Sequence, residues 1–259
     1  MLEAILPAGA VLAEERGPAG QHALHPAEAV AVARAVPSRR REFAATRACA
    51  RTALAALAGG ASVAAAPGAS PGASAVRDDA SVAIPKGVGG DPVWPRGVVG
   101  SLTHCAGYRA AVVAGTDAFR TIGIDAEPHA PLPRDARDIV GTAAERHPDP
   151  PLGPGVHADC VLFSAKESVG KAHYARYREW LGFPDLHVTL HPGGAFTARR
   201  SAPGPIPFPA YRGSWLVIDG LVLTCAWLAV PRIPSAVRGD RPVPGGQSAP
   251  GIPSVPRPA

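Results

Sequence analysis

Apolar residues recur at helical spacing in two stretches of the sequence, and each stretch predicts a long helix. In the first, Ser38 is a candidate cap, and the helix runs through RRREFAATRACARTALAALA to a pair of glycines, Gly59 and Gly60. The second begins at Val161, continues through LFSAKESVGKAHYARYREWLGF and is expected to end near Gly182. These are the two long helices that the sequence predicts.

Runs rich in β-branched and apolar residues predict the strands. They are YRAAVVAG, TIGIDAEP, LHVTLHP, GSWLVIDG and LVLTCAWLAV, in that order along the chain. The strands do not alternate regularly with helices, as they would in a doubly wound parallel sheet. The expected fold class is therefore α+β.

Two segments show no apolar period. Residues 59–81 are rich in Ala, Gly and Ser and are expected to form a flexible insertion, and residues 231–259 form a proline-rich tail expected to be disordered. No stretch approaches the about 20 apolar residues of a membrane span, and the first residues lack a basic start followed by an apolar run. We expect no membrane association and a cytoplasmic location.

Composition narrows the classes of partner. The net charge is +5 and the pI is about 9.3, which suits an acidic protein or a phosphorylated small molecule. Arginines are spread along the chain and aromatic residues are only 5% of it, so nucleic-acid binding is not expected. The 4 cysteines form no CxxC pair, which argues against a zinc knuckle or a thioredoxin-like site.

Asp125 and Glu127 stand two residues apart in IGIDAEP. On a strand this spacing directs both carboxylates to one face, where they suit magnesium, which takes carboxylates, water and substrate phosphates as ligands. The competing interpretation is a solvated turn or a salt-bridge pair.

Glu167 and Lys171 are four apart on the second predicted helix, which is also the spacing of an ordinary exposed ion pair. Lys166 stands beside them, so two of the three lysines in the chain flank one glutamate. This concentration of a rare residue type favours a functional role.

Cations and a histidine lie in the first half of the chain. Arg39, Arg47 and Arg51 fall on or near the first helix and could grip phosphate, although an arginine-rich helix face is often only solvated. Thr103 and His104 lie in GSLTHC, where the imidazole could donate to a phosphate or be structural. Together with the acids, these residues describe a magnesium site beside phosphate-binding groups, suited to attack on a pyrophosphate.

The motifs RRREFAATRACAR, WPRGVVGSLTHCAGYRAAVV, IGIDAEPHAPLP, FSAKESVGKA and WLGFPDLHV occur in this order. Over residues 27–230 they resemble the Sfp/EntD-type 4'-phosphopantetheinyl transferases, especially the actinobacterial members. The resemblance implies a Mg-dependent enzyme that moves the phosphopantetheine arm of coenzyme A to a serine of an apo acyl or peptidyl carrier protein. Adenosine 3',5'-bisphosphate would be released. The pathway implied is fatty acid, polyketide, non-ribosomal peptide or siderophore biosynthesis.

The resemblance also assigns roles to residues. It implies Glu167 as general base, with Lys171 and His104 stabilising the transferring phosphoryl group. It implies a metal site for magnesium, with manganese as the alternative, made by Asp125, Glu127 and Glu167. The expected coenzyme A site comprises Arg39, Arg47, Arg51, Lys86, Thr103, His104, Asp125, Ala126, Lys166, Glu167 and Lys171. Glu145 falls where some members place another carboxylate.

Family members consist of two similar, pseudo-symmetric α+β halves with coenzyme A in the cleft between them. Here the halves would comprise residues 1–121, with the nucleotide-end cations, and residues 122–230, with the metal site. A monomer is expected. Two rival functions stay open: a coenzyme A pyrophosphatase, in which water replaces the carrier serine, and a non-catalytic nucleotide-binding protein.

Overall fold

The computed structural model describes residues 1–60, 82–204 and 208–231. The predicted flexible insertion at 59–81, beyond its first two residues, lies outside the described residues. So does the predicted disordered tail at 231–259, apart from its first residue.

The described chain is an α+β protein, as predicted. Its helices are α1 (Pro26–Ala29), α2 (Pro37–Ala58), α3 (Arg134–Val140), α4 (Ala143–Arg146) and α5 (Ala158–Tyr177). Its strands are β1 (Ala10–Arg16), β2 (Val98–Cys105), β3 (Tyr108–Gly115), β4 (Phe119–Pro128), β5 (Leu186–Leu190), β6 (Ala195–Arg200), β7 (Tyr211–Ile218) and β8 (Leu221–Ala229). Among the described residues, no helix combines the length and the apolar character needed to cross a bilayer.

The first half contains an antiparallel sheet in the order β1-β3-β2, with α2 packed against it. Helix α2 begins at Pro37, whose ring restricts φ to a helical value, and extended Val36 precedes it. The prediction that Ser38 caps this helix is wrong, because Ser38 lies inside the first turn. The predicted end is confirmed, since the helix stops at Ala58 and Gly59 follows as its C-cap.

The second half contains an antiparallel sheet in the order β4-β8-β7-β6-β5, with α5 packed against it. Helix α5 ends at Tyr177, so the predicted end near Gly182 is wrong. Arg178 adopts the left-handed conformation (φ 57°), which ends the helix. The chain then turns back, and Trp180 packs on the ring of Tyr174 with 4.3 Å between ring centroids.

The two halves share a core. Alternate residues of β1 and β3 face α2, while the remaining ones pack against the second half. The shared core contains Leu2, Ala10, Tyr108, Ala110, Val112, Ile122, Ile124, Ala126, Leu223 and Cys225. Strand β2 lies beside β4, where Ile124 N donates to Ser101 Oγ at 3.1 Å. This arrangement of two sheet-and-helix halves confirms the expected architecture, and the change from one sheet to the other falls between Gly115 and Phe119.

Candidate active site

A cleft of about 860 Å³ opens between the two halves. Its first wall is made by α2, the glycine-rich segment 86–92 and β2. Its second wall is made by β4, α5 and the segment 180–186. Nearly all the side chains to which the sequence assigned chemistry line this one cavity.

Close packing of α5 on β4 brings the acidic side chains together. At Gly123 the strand approaches the helix so closely that an added Cβ would lie 2.0 Å from Ser168 O. Thr121 Oγ1 donates to Ala172 O at 2.7 Å, which fixes the helix along the strand. The side chains of Glu167 and Lys171 are thereby carried to the face of β4 that bears Asp125 and Glu127.

Asp125 is buried and held directly by two groups, Lys171 and Ser164. Lys171 Nζ lies 2.6 Å from Asp125 Oδ1, and Ser164 Oγ donates to Asp125 Oδ2 at 2.8 Å. Thr224 Oγ1 lies 3.0 Å from Ser164 Oγ, so β8 supports this arrangement. The ion pair that the sequence suggested for Lys171 with Glu167 is therefore made with Asp125 instead.

The carboxylates of this wall affect one another. Burial and the charge of Asp125 raise the pKa of Glu127 to about 7, with Glu167 adding to the effect and Lys171 opposing it. Burial and Asp125 also raise the pKa of Glu167. The wall therefore carries more negative charge than the Lys171 ammonium balances, a situation that favours an added cation.

The predicted metal set is not assembled as the side chains stand. Within residues 1–60, 82–204 and 208–231, no three Asp, Glu, His or Cys side chains are placed to hold one metal ion. In this arrangement the Lys171 ammonium lies 2.6 Å from one of the two Asp125 carboxylate oxygens. Asp125, Glu127 and Glu167 nevertheless line the same wall of the cleft.

The opposite wall carries the basic groups. Arg39 is half exposed and donates from Nη1 to His104 Nε2, and Lys86 is exposed at the cleft. Burial, followed by the charge of Arg39, lowers the pKa of His104. Arg47 is buried beside the cleft, where Nε donates to Ile84 O at 2.8 Å and its guanidinium packs 4.1 Å from the centre of the Phe43 ring. Thr103 lines the cleft from β2.

One residue expected at coenzyme A points elsewhere. Arg51 is buried in an ion pair, with Nη1 3.0 and 3.1 Å from the two carboxylate oxygens of Glu28, and it does not line the cleft. The side chain of Ala126 lies in the shared core, on the opposite face of β4 from Asp125, and the backbone contact that the resemblance implies for Ala126 stays a prediction. The expectation for Arg51 is corrected because the guanidinium is already paired.

Lys166 and Glu145 also have partners of their own. Lys166 borders the cleft, but its Nζ lies 3.0 Å from Glu145 Oε1 rather than facing the open cavity. Glu145 in turn closes the capping box of α4 with Thr142. Neither side chain belongs to the carboxylate and ammonium group around Asp125.

Several residues in or beside the cleft were missed from the sequence. Asp91 accepts a hydrogen bond from Arg178, and Tyr174 packs so closely that a Cβ on Gly89 would overlap its hydroxyl. Ser164 was missed as the support of Asp125. The spacing of Ser164 to Glu167 and Lys171, three and seven residues, is a helical signal that would have placed it on the same face.

A cleft with three carboxylates on one wall and arginine and lysine side chains on the other is suited to a phosphorylated substrate. Residues 27–114 match the family model of the 4'-phosphopantetheinyl transferase N-terminal domain, and residues 121–226 match that of the 4'-phosphopantetheinyl transferase superfamily. The change from the first sheet to the second, between Gly115 and Phe119, falls in the gap between the two matches.

Three similar proteins are also named 4'-phosphopantetheinyl transferases. The 4'-phosphopantetheinyl transferase Npt of Nocardia iowensis is 42% identical over 86% of this chain and 98% of its own length. PptT of Mycobacterium tuberculosis is 43% identical over 77% of this chain and 83% of its own length. Svp of Streptomyces mobaraensis is 41% identical over 80% of each. The chain belongs to the 4'-phosphopantetheinyl transferase superfamily, as the resemblance indicated.

Proposed function

We propose that this protein transfers the 4'-phosphopantetheine arm of coenzyme A to a serine of an apo carrier protein. The observation that carries the proposal is the contact of α5 with β4, which sets Lys171 against Asp125 in a cleft whose other wall carries Arg39 and Lys86. Acids and cations from opposite halves thus face one cavity of about 860 Å³. A cavity of this size and lining suits a substrate that carries several phosphates.

The cations of the first half would hold the nucleotide end. Arg39 and Lys86 are sufficiently exposed to meet the 3'-phosphate, and Arg47 supports them from within α2. Thr103 and His104 would contact the pyrophosphate from β2. Lys171 would contact it from α5, so the pyrophosphate would lie between the two walls.

Magnesium, with manganese as the alternative, is the metal that the acidic wall suits. Asp125, Glu127 and Glu167 are hard oxygen donors that crowd one another and are incompletely balanced by Lys171, and this donor set fits a divalent cation. These three residues would hold it. When bound, the ion would supply charge neutralisation at the pyrophosphate.

Glu167 is the proposed general base. Its pKa is raised by burial and by Asp125, which makes it a better proton acceptor than an ordinary glutamate. The carrier serine oxygen would form a bond to the phosphorus that bears the pantetheine arm, and its proton would pass to Glu167. The bond from that phosphorus to adenosine 3',5'-bisphosphate would break, and Lys171 and His104 would stabilise the charge that develops.

Incubation of the protein with coenzyme A, magnesium and a panel of apo acyl and peptidyl carrier proteins tests this proposal. Mass spectrometry should show the added phosphopantetheine arm on the carrier, together with release of adenosine 3',5'-bisphosphate. Hydrolysis of coenzyme A without a change in carrier mass would favour the rival pyrophosphatase. Binding of coenzyme A with neither reaction would favour the non-catalytic nucleotide-binding protein.

The carrier would belong to a fatty acid, polyketide, non-ribosomal peptide or siderophore pathway, as the resemblance implies. Cytoplasmic location and a monomeric state stay predictions from the sequence.

A further inference from the structure

A buried ion pair lies beside the cleft, next to the proposed base. Lys166 Nζ is 3.0 Å from Glu145 Oε1, and the two side chains are 0% and 4% exposed. The ammonium also donates to Phe183 O at 3.0 Å and to Leu186 O at 2.7 Å. These contacts use all three ammonium hydrogens, so none is left for a phosphate.

Glu145 is equally occupied. Its Oε1 accepts from Val188 N at 3.0 Å, and its Oε2 accepts from Thr142 N at 3.0 Å. The pair therefore joins four parts of the second half: α5, the start of α4, the beginning of β5 and the turn at 183–186. A buried charge with satisfied partners holds such parts in one arrangement, because any displacement leaves a charge without a partner.

The parts joined in this way form the cleft. Phe183 and Leu186, whose carbonyls bind the ammonium, both line the cavity. Phe183 also packs against Phe163 of α5, with 5.5 Å between ring centroids. Glu167 follows Lys166 directly on α5. Movement of the Lys166 anchor would therefore alter the distance between the base and the segment 183–186 of the same wall.

We infer that Lys166, through its ion pair with Glu145, is a positioning residue that fixes Glu167 and the 183–186 wall relative to each other, and that it does not bind the phosphates of coenzyme A. The inference rests on the proposed function. It assigns to Lys166 and Glu145 a joint task that differs from the coenzyme A contact that the resemblance implies for Lys166.

Three variants test the inference: Lys166→Met, Glu145→Gln and the double variant. Lys166→Met leaves the Glu145 carboxylate buried without its cation, whereas the double variant removes both charges and keeps similar side-chain volumes. In Lys166→Met, kcat for carrier modification should fall about ten-fold or more, while the Kd for adenosine 3',5'-bisphosphate changes less than about two-fold. The double variant should regain several-fold of the lost kcat.

The opposite result would identify Lys166 as a phosphate ligand. In that case Lys166→Met would weaken binding of adenosine 3',5'-bisphosphate about ten-fold or more, as expected for Lys171→Met, and Glu145→Gln added to it would restore nothing. If Lys166→Met does not fold, Glu145→Gln and the double variant supply the comparison. An unchanged kcat in Glu145→Gln, or lost nucleotide binding in the double variant, would then overturn the inference. Wild-type protein without transfer activity would instead contradict the proposed function.

Discussion

Arg178, the residue that ends α5, donates a hydrogen bond to Asp91 of the opposite half and so joins the two walls at one end of the cleft. Asp91 is held at the same time by its own loop, since Gly87 N donates to Asp91 O at 2.7 Å. This loop also carries Lys86, one of the proposed nucleotide-end cations. The Asp91 side chain is 11% exposed and that of Arg178 is 61% exposed, so solvent weakens the pair without removing it.

Loss of this link should affect substrate binding more than chemistry. We expect Asp91→Asn or Arg178→Ala to raise KM for coenzyme A about two- to five-fold with kcat nearly unchanged, because a partly exposed ion pair is worth at most about 1 kcal/mol. Steady-state kinetics with one carrier protein measures both parameters. Arg16→Ala is the matched control, since Arg16 pairs with Asp219 at 2.9 Å in an exposed contact and neither residue lines the cleft. If Arg16→Ala raised KM for coenzyme A as much as Asp91→Asn and Arg178→Ala do, the result would argue against a role for Asp91 at the cleft.

The close approach of β4 to α5 gives a second prediction. Gly123→Ala places a Cβ 2.0 Å from Ser168 O and must push the helix away from the strand, so the free energy of unfolding should fall by about 1 to 3 kcal/mol. Transfer activity should fall as well, because Lys171 and Glu167 move with the helix. Gly170→Ala is the control on stability: an added Cβ meets nothing within 4 Å there, and alanine favours the helix by about 0.5 to 1 kcal/mol. Thermal melting that ranks Gly123→Ala at or above wild type would refute the packing argument.

The catalytic assignment predicts large losses of activity without loss of the fold. Asp125→Ala and Glu167→Ala should each lower kcat/KM for carrier modification by about a hundred-fold or more, since each removes a proposed metal ligand and Glu167 is also the proposed base. Asp135→Asn serves as the control, because Asp135 is an exposed acid of α3 that does not line the cleft. Mass spectrometry measures transfer and circular dichroism measures the fold. A folded Glu167→Ala protein that modifies the carrier at the normal rate would exclude Glu167 as the base.

Substitution of Arg51 should lower stability, whereas substitution of Arg39 should weaken coenzyme A binding. Arg51→Met leaves Glu28 buried without its cation, so the free energy of unfolding should fall by about 3 to 5 kcal/mol. The affinity of the folded protein for coenzyme A should be the same as that of wild type. Arg39→Met removes a half-exposed cation that lines the cleft, so it should weaken coenzyme A binding while leaving stability nearly unchanged. Calorimetry measures coenzyme A binding and chemical denaturation measures stability. If Arg51→Met lost mainly binding, or Arg39→Met lost mainly stability, these assignments would be wrong.

These two arginines illustrate how far the sequence could predict the structure. Spacing placed Asp125 and Glu127 correctly on one face of a strand, because strand periodicity is local. It could not tell Arg39 from Arg51, since the difference lies in Glu28, which is 23 residues from Arg51 in sequence and meets it only once α1 and α2 are folded next to each other. The partners of Lys171 and Lys166 were likewise set by contacts between distant elements.

Strand β1 and the end of α5 show the same limit for the fold. The short run AVLAEER carries two glutamates and was not recognised as a strand. It is one because it pairs with β3, where Ala13 faces Ala111 and Glu14 faces Ala110. The end of α5 depends on Arg178 in the left-handed conformation. Arginine rarely adopts this conformation, so its presence in the sequence does not predict the end of a helix.

His173 gives the last prediction, on the pH dependence of stability. The imidazole is fully buried, with Nε2 2.9 Å from Glu179 Oε2 and Nδ1 3.2 Å from the Tyr211 hydroxyl. Burial lowers the pKa of His173, and the charge of Arg200 adds to this, although Glu179 opposes it. The folded protein therefore holds this ring neutral at pH values where the unfolded chain, with a His pKa near 6.5, takes up a proton.

Because the unfolded state binds more protons at His173 in that window, the contribution of His173 to the free energy of unfolding should decrease as the pH falls from about 7.5 towards 5.5, by at most about 1.4 kcal/mol per pH unit for one proton. His104 and His129, whose pKa values are also lowered, contribute in the same direction, whereas Glu127 and Glu167, whose pKa values are raised, contribute in the opposite direction, so the difference between wild type and His173→Phe isolates His173. Phenylalanine keeps the stacking on Phe208 but cannot titrate. In denaturation curves at several pH values, the free energy of unfolding of wild type minus that of the variant should decrease as the pH falls. Parallel curves for the two proteins would mean that His173 titrates alike in the folded and unfolded states.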